Sequence, residues 1–332
     1  MNPLVLPFFL LSTFSASAQT TRDLVLTLDL SDDTTRRFDL RIETPDDWNP
    51  DTDAAVILFS GGLTTDLHWT TPGFYTQGNT IHTLTIDARD IHDSDTIAQA
   101  LLNAGLAVAR YSSIHKDDKQ HLFSPVLADP MTYPDTLALA QLAQSTARQE
   151  LKIDPERTFA LAHSLGAPRA IETMPDPCAG FILIAGAYMS PTTTSPRSII
   201  AQDHHPDHPR DIDHSGTIDP FESAAIAAIE SDSYRTSERA TLHNHEYDFA
   251  PDTLLTSTTP VLAIWGSLDP TSYHGPILQH LYDQSDDPDR LTTIYHPDLG
   301  HTLGPIDEKK RVGPIDQDVI DSIVRWITAR TR

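Results

Sequence analysis

Ala162-His163-Ser164-Leu165-Gly166 decides how this chain is read. It follows an apolar run, Thr158–Ala162, and precedes Ala167–Thr173, whose spacing is helical. A serine at so sharp a strand-to-helix turn is strained, and only small side chains fit two positions to either side. Ala162 and Gly166 meet that demand. Ser164 is then expected to raise its hydroxyl above a sheet at a helix N-terminus, with the Leu165 backbone N–H aimed at a developing oxyanion. A lone Ser-x-Gly is common in ordinary turns. The strand–turn–helix setting is what makes Ser164 a nucleophile here.

A serine nucleophile needs a base, and the base needs an acid. The apolar run Val261–Trp265 leads into Gly266-Ser267-Leu268-Asp269, which places Asp269 at the end of a strand. The last strand, Thr292–Tyr295, leads into Pro297-Asp298-Leu299-Gly300-His301, just before a terminal amphipathic helix over Gln317–Arg330. His301 is therefore expected as general base, with Asp269 fixing its tautomer. A single Asp or His in a loop is usually only solvated. The argument rests on three residues in chain order, each at a strand end. A second oxyanion donor is expected after the strand Ala54–Phe59, in Ser60-Gly61-Gly62-Leu63, from the Gly62 or Leu63 amide. Glycines there let backbone approach an oxygen closely.

The rest of the chain supplies a frame for these loops. Residues 23–44 alternate in polarity around Ser31-Asp32-Asp33, the pattern of an antiparallel hairpin. A helix over Asp95–Asn103 stops at Gly105 and gives way to a strand over Leu106–Tyr111. A longer helix is expected over Tyr133–Leu151, a strand over Phe181–Ala185, and a helix over Pro276–Asp283. Strands alternating with helices predict an α/β protein whose mostly parallel sheet is covered on both faces. Residues 188–250 break the rhythm, being rich in Pro, Thr, His and Asp, and are expected to form a lid inserted on the sheet's rim. The core is then 19–187 and 251–332.

The 332 residues carry 47 acidic and 23 basic side chains, a formal charge of −24. Such a surface repels nucleic acid and anionic membrane, so neither is an expected partner. The acid is mainly Asp (38) and Lys is rare (5), which suits a salty medium where screening weakens self-repulsion. The apolar run Leu4–Leu11 is too short to span a bilayer and is followed by a small-residue stretch ending in Ala16-Ser17-Ala18, so residues 1–18 are expected to be an export signal. The mature protein is expected to be secreted or periplasmic. With one cysteine, Cys178, it has no internal disulfide.

These motifs resemble the serine-dependent α/β-hydrolases over about residues 50–187 and 255–330. Leu58-Phe59-Ser60-Gly61-Gly62 resembles their oxyanion loop, and Gly105-Leu106-Ala107-Val108-Ala109-Arg110-Tyr111 is similar to a helix-to-strand segment of many esterases. Ile153-Asp154-Pro155-Glu156-Arg157 is similar to that group too. The likeness is greatest to bacterial esterases, dienelactone hydrolases and prolyl-oligopeptidase-like catalytic domains. It implies the α/β-hydrolase fold, a small-molecule carboxylic ester as substrate and no cofactor at the chemistry. A serine peptidase of the prolyl-oligopeptidase type is one rival, although nothing here is long enough for that family's propeller. A non-catalytic calcium-dependent binding protein on a hydrolase fold is another. Chain number in the assembly is left open.

Inside the insertion lies Asp211-Ile212-Asp213-His214-Ser215-Gly216-Thr217-Ile218-Asp219-Pro220-Phe221-Glu222. Set on the twelve-residue EF-hand loop, Asp211, Asp213 and Ser215 take positions 1, 3 and 5, with Gly216 at the turn. Thr217 offers a carbonyl, Asp219 an oxygen and Glu222 a bidentate carboxylate. The segment resembles half of an EF-hand. Pro206 and Pro209 exclude a regular entering helix, so a structural calcium ion is expected rather than a sensor.

Overall fold

The computed structural model describes residues 19–31, 33–61, 66–71, 74–77, 80–83, 91–113, 133–186, 252–269, 274–306 and 313–331. Residues 1–18, expected to be an export signal, residues 188–250, expected to be an insertion with an acidic loop, and Gly62 and Leu63 lie outside them.

Alternation builds the first two strands. β1 (Gln19–Asp29) and β2 (Thr35–Pro45) pair antiparallel, with Leu24 opposite Leu40 and Leu26 opposite Phe38. Leu26, Phe38, Leu40 and Ile42 face the core, while Val25 stays exposed, as one covered face of an antiparallel pair requires. The turn closes with the Leu30 amide donating to the Thr34 carbonyl at 2.8 Å.

Continuous apolar runs build the rest, because a central strand is covered on both faces. These are β3 (Ala55–Phe59), β8 (Ala107–Tyr111), β9 (Thr158–His163), β10 (Gly180–Ile184) and β11 (Val261–Gly266), while β12 (Leu291–His296), at the sheet's edge, is more polar and only partly buried. The eight-stranded sheet runs β1-β2-β8-β3-β9-β10-β11-β12. β2 meets β8 antiparallel, and from β8 to β12 all neighbours are parallel. The expected α/β-hydrolase architecture is thus present. Two small ribbons were not foreseen: β4 (Thr70–Thr71) with β7 (Ile91–His92), and β5 (Phe74–Gln77) with β6 (Thr80–Thr83).

The two faces bury separate cores. Ala55, Ile57, Phe59, Ala160 and Ala162 turn towards α2 (Tyr133–Leu151), α3 (Gly166–Thr173) and α5 (His274–Asp283). The short α4 (Asp252–Thr256) adds Leu254 to that side. Val56, Leu58, Phe159 and Leu161 turn the other way, onto α1 (Asp93–Asn103) and α6 (Gln317–Thr328). α6 buries Val319, Ile320, Ile323, Trp326 and Ile327, one stripe at helical spacing. Each such large side chain contributes about 1.5–3 kcal/mol by leaving water. Asp316 caps α6, its carboxylate accepting from the Asp318 amide at 2.8 Å.

One ion pair sits inside this frame. Arg110 on β8, 3% exposed, donates through Nε to Glu43 Oε2 at 3.0 Å and through its guanidinium to Asp95 on α1. Removing Arg110 would strand the buried Glu43 carboxylate, which is far more damaging than the pair is stabilising.

Candidate active site

The turn after β9 has the predicted strain. Ser164 adopts φ +51°, the left-handed region that side chains avoid. It is held there by its own amide, which donates to the Ile184 carbonyl at 3.0 Å, and by its carbonyl, which accepts from the Ala167 amide at 3.1 Å. Such a residue costs of order 1–3 kcal/mol, supplied by the surrounding fold. Gly166 has no alternative: a Cβ there would lie 2.3 Å from the Phe59 carbonyl oxygen. That close approach is what brings β3 and the nucleophile helix together.

Asp269 and His301 arrive from loops that are stitched to each other. The Leu268 amide donates to the Leu299 carbonyl at 2.9 Å, and the Ser267 amide to the His296 carbonyl at 3.0 Å. A Cβ on Gly266 would come 2.2 Å from the Leu299 oxygen, so only glycine lets these loops touch. His301 Nδ1–H donates to Asp269 Oδ1 at 2.9 Å. The Ser164 hydroxyl, 3.0 Å from His301 Nε2, donates to that nitrogen's lone pair. Asp269 is 1% exposed, whereas the imidazole between them is about one-third open. The three residues expected to act together are therefore in hydrogen-bond contact, at the carboxyl ends of β9, β11 and β12. Sites in open α/β sheets form at that edge. Leu165 follows Ser164 and caps α3 in helical geometry, the position expected of an oxyanion donor. Gly62, Leu63 and the acidic-loop residues Asp211, Asp213, Ser215, Thr217, Asp219 and Glu222 are outside the described residues.

The sequence alone assigns His163 no role between Ala162 and Ser164. Its Nε2–H donates to the backbone carbonyl of His301 at 2.9 Å, tying the nucleophile strand to the loop that carries the base. The two rings lie 5.0 Å apart, and Trp69 lies against the far side of His163 at 6.1 Å. Gly61 makes room for this ring, since a Cβ there would sit 2.6 Å from His163 Nδ1. Burial, and then the neighbouring His301, push His163 down to about 4. It therefore stays neutral and does not repel an imidazolium forming on His301. Arg169, 2% exposed, braces the same turn from below. It donates to the Leu165 carbonyl through Nε and to the Ser60 carbonyl through a terminal nitrogen, both at 3.0 Å.

A pH prediction follows from His163. An unfolded histidine takes up its proton near pH 6.5, and folded His163 only near 4. Its contribution is complete above pH 6.5 and is lost as pH falls towards 4, by up to about 3 kcal/mol. His163→Phe should therefore lose less stability than the wild type between pH 7 and pH 4.5 in paired thermal melts. Parallel losses in the two proteins would contradict this reading.

No family model matches the chain, and no curated protein does either. Solved structures do. Brefeldin A esterase, described as a bacterial homologue of human hormone-sensitive lipase, superposes with a TM-score of 0.54 at 14% identity, covering 99% of this chain and 81% of that one. Carboxyl esterase 2 of the mycorrhizal fungus Tuber melanosporum gives 0.52 at 14%, covering 96% and 89%. An esterase of Pyrobaculum calidifontis gives 0.51 at 13%, covering 93% and 85%. At such identities the likeness establishes the fold, and this chain has the α/β-hydrolase fold.

Proposed function

We propose that the chain is a serine hydrolase that cleaves carboxylic esters through an acyl-enzyme on Ser164. One observation carries the reading: the unbroken relay from the Ser164 hydroxyl through His301 to buried Asp269, with Ser164 at a strained turn. The similar solved structures are named as esterases, which favours an ester over a peptide as substrate.

The geometry suggests each step. Ser164 Oγ attacks the ester carbonyl carbon while its proton passes to His301 Nε2, and Asp269 stabilises the imidazolium. The carbonyl oxygen becomes an oxyanion, received by the Leu165 amide and by an amide of Gly62 or Leu63. Collapse expels the alcohol, which takes the proton from His301. Water then attacks the acyl-enzyme with His301 again as base. A fluorophosphonate probe should label Ser164, and p-nitrophenyl esters of graded chain length should release nitrophenol. No labelling would favour the binding-protein reading. Turnover of peptide anilides with no esterase activity would favour the peptidase.

We also propose export through residues 1–18 and a structural calcium ion in the insertion. Asp211, Asp213, Asp219 and Glu222 supply carboxylates, with Ser215 and the Thr217 carbonyl completing a hard-oxygen set suited to calcium. Without an ion these charges repel each other in an already acidic protein. Extracellular calcium modules bind at about 10⁻⁴–10⁻³ M. At a hundred times the dissociation constant, linkage stabilises the ordered state by about 2.7 kcal/mol. EGTA should lower the melting temperature and expose residues 200–225 to protease, calcium should reverse both, and Glu222→Gln should mimic EGTA while Ser164 still takes the probe. Melting and cleavage indifferent to calcium would remove the ion from the proposal.

A further inference from the structure

Away from Ser164, a second group of ligand-type side chains converges. His68 lies in the turn after the glycine loop, His92 ends β7, and Asp95 is in the first turn of α1. One potential ligand atom from each lies within 4.8 Å of the others. His68 Nδ1 is 2.8 and 2.9 Å from the two Asp95 oxygens, and the imidazoles of His68 and His92 meet edge to face at 5.4 Å.

The backbone holds this arrangement before any ligand arrives. β4 pairs with β7, placing Thr70 opposite His92. The Ser94 hydroxyl donates to the Leu67 carbonyl at 2.6 Å, and the Ser94 amide to the His68 carbonyl at 3.3 Å. The Asp66 carboxylate accepts from the His68 amide at 3.1 Å.

The charge balance favours a cation. Arg110 is shared between Glu43 and Asp95, and Arg41, which both also reach electrostatically, is paired with Asp23, so three carboxylates face two guanidiniums. One negative charge is left over where the imidazoles converge. Arg110 engages Asp95 Oδ1, fixing the carboxylate while both of its oxygens lie within reach of His68 Nδ1. An outer partner that orients a ligating carboxylate is a regular feature of metal sites. Two imidazoles and one carboxylate form a borderline donor set. It suits zinc and the late first-row divalent ions, and not calcium or magnesium, which take oxygens. The side chains of His68 and Asp95 are 39% and 38% exposed, leaving room for a water at the fourth position. Tetrahedral zinc at the usual bond lengths needs ligand atoms about 3.3 Å apart, so the 2.8 Å His68–Asp95 contact must open slightly and the widest pair, at most 4.8 Å, must close.

We propose that His68, His92 and Asp95 bind a divalent transition-metal ion of the zinc type. The ion takes the place of the proton between His68 Nδ1 and Asp95, and the neutral imidazole carries its one proton on Nε2 instead. It clamps turn 66–69 to the start of α1. The next residue, Trp69, is buried and lies against His163, which holds the His301 carbonyl. The clamp thus steadies the wall behind the base without touching the reacting atoms. The inference stands whether or not Ser164 hydrolyses esters.

The test is a zinc titration of the full chain, stripped of metal and kept in calcium, read by calorimetry and by melting temperature. One equivalent of zinc should bind and raise the melting temperature. Cobalt(II) in its place should show the visible absorption of a four-coordinate ion. His92→Ala removes an exposed ligand without breaking the Arg110 pairs, and His68→Gln removes a second. Each should weaken binding by at least the roughly 10–100-fold that loss of an outer partner costs. Circular dichroism in the absence of zinc confirms that each variant is folded. No saturable zinc binding by the wild type would overturn the proposal. So would unchanged affinity in both variants, which would place the ion on other histidines of the chain.

Discussion

Ser164→Ala should leave the fold intact and lower kcat towards p-nitrophenyl esters by roughly 10⁴–10⁶. The variant keeps the oxyanion donors and the loops, so substrate still binds, but no acyl-enzyme can form. Stability should not fall, because alanine meets the same left-handed backbone at φ +51° with one fewer polar atom to place. The effect is non-additive: adding His301→Ala should cost little more, since the base has nothing left to deprotonate. The assay is single-turnover hydrolysis alongside probe labelling. Turnover within tenfold of wild type would mean that another group, or water, attacks the ester.

Asp269→Asn should come next, with a loss of about 10⁴ in kcat, the size seen when this change is made in other triads. The carboxylate is 1% exposed and accepts a hydrogen bond from His301 Nδ1–H at 2.9 Å. An asparagine presents an amide N–H at the same place as readily as an oxygen. It therefore favours the tautomer with the proton on Nε2, and that nitrogen can no longer accept from Ser164. Fluorophosphonate labelling should slow in step with turnover, because both need the serine activated. A variant that loses turnover but labels at the wild-type rate would show Asp269 acting later, at the leaving group.

How much could be read beforehand depends on whether a feature is local. The central strands announce themselves because a strand covered on both faces must be apolar throughout, as Val56–Phe59 and Val261–Trp265 are. α2 has the bounds its spacing predicts, Tyr133–Leu151. α1 begins two residues earlier than its apolar spacing suggests. The cause is distant: buried Asp93 accepts from the Ile315 amide at 2.9 Å, across 222 residues. Burial pushes that carboxyl up to about 6, against the backbone bond and His92, which pull it down. The ribbons β4–β7 and β5–β6, with strands of two to four residues, are too short to show a period. The same division holds at the site. Ser164, Asp269 and His301 could be picked out because each follows a readable strand, in the order such sites use. The need for glycine at 61 and 266, and the work of His163 and Arg169, arise only where two loops meet across the sheet. No window of sequence contains both sides of such a contact.

The distance along the chain between Ser164 and His301 has a consequence in time. The two side chains that touch are 137 residues apart. A ribosome adding about 5–20 residues per second makes His301 roughly 7–27 s after Ser164. Throughout that interval the growing chain carries a serine with no base. β12 and α6 must also be made and docked before the last loop is held in place. The proposed hydrolysis therefore waits until His301 and the elements that hold its loop have been made, and a product that stops before them is inert. In a refolding experiment, esterase activity should be among the last signals to return, after the helical signal and after burial of the tryptophans. Its appearance dates the docking of the His301 loop against Ser164.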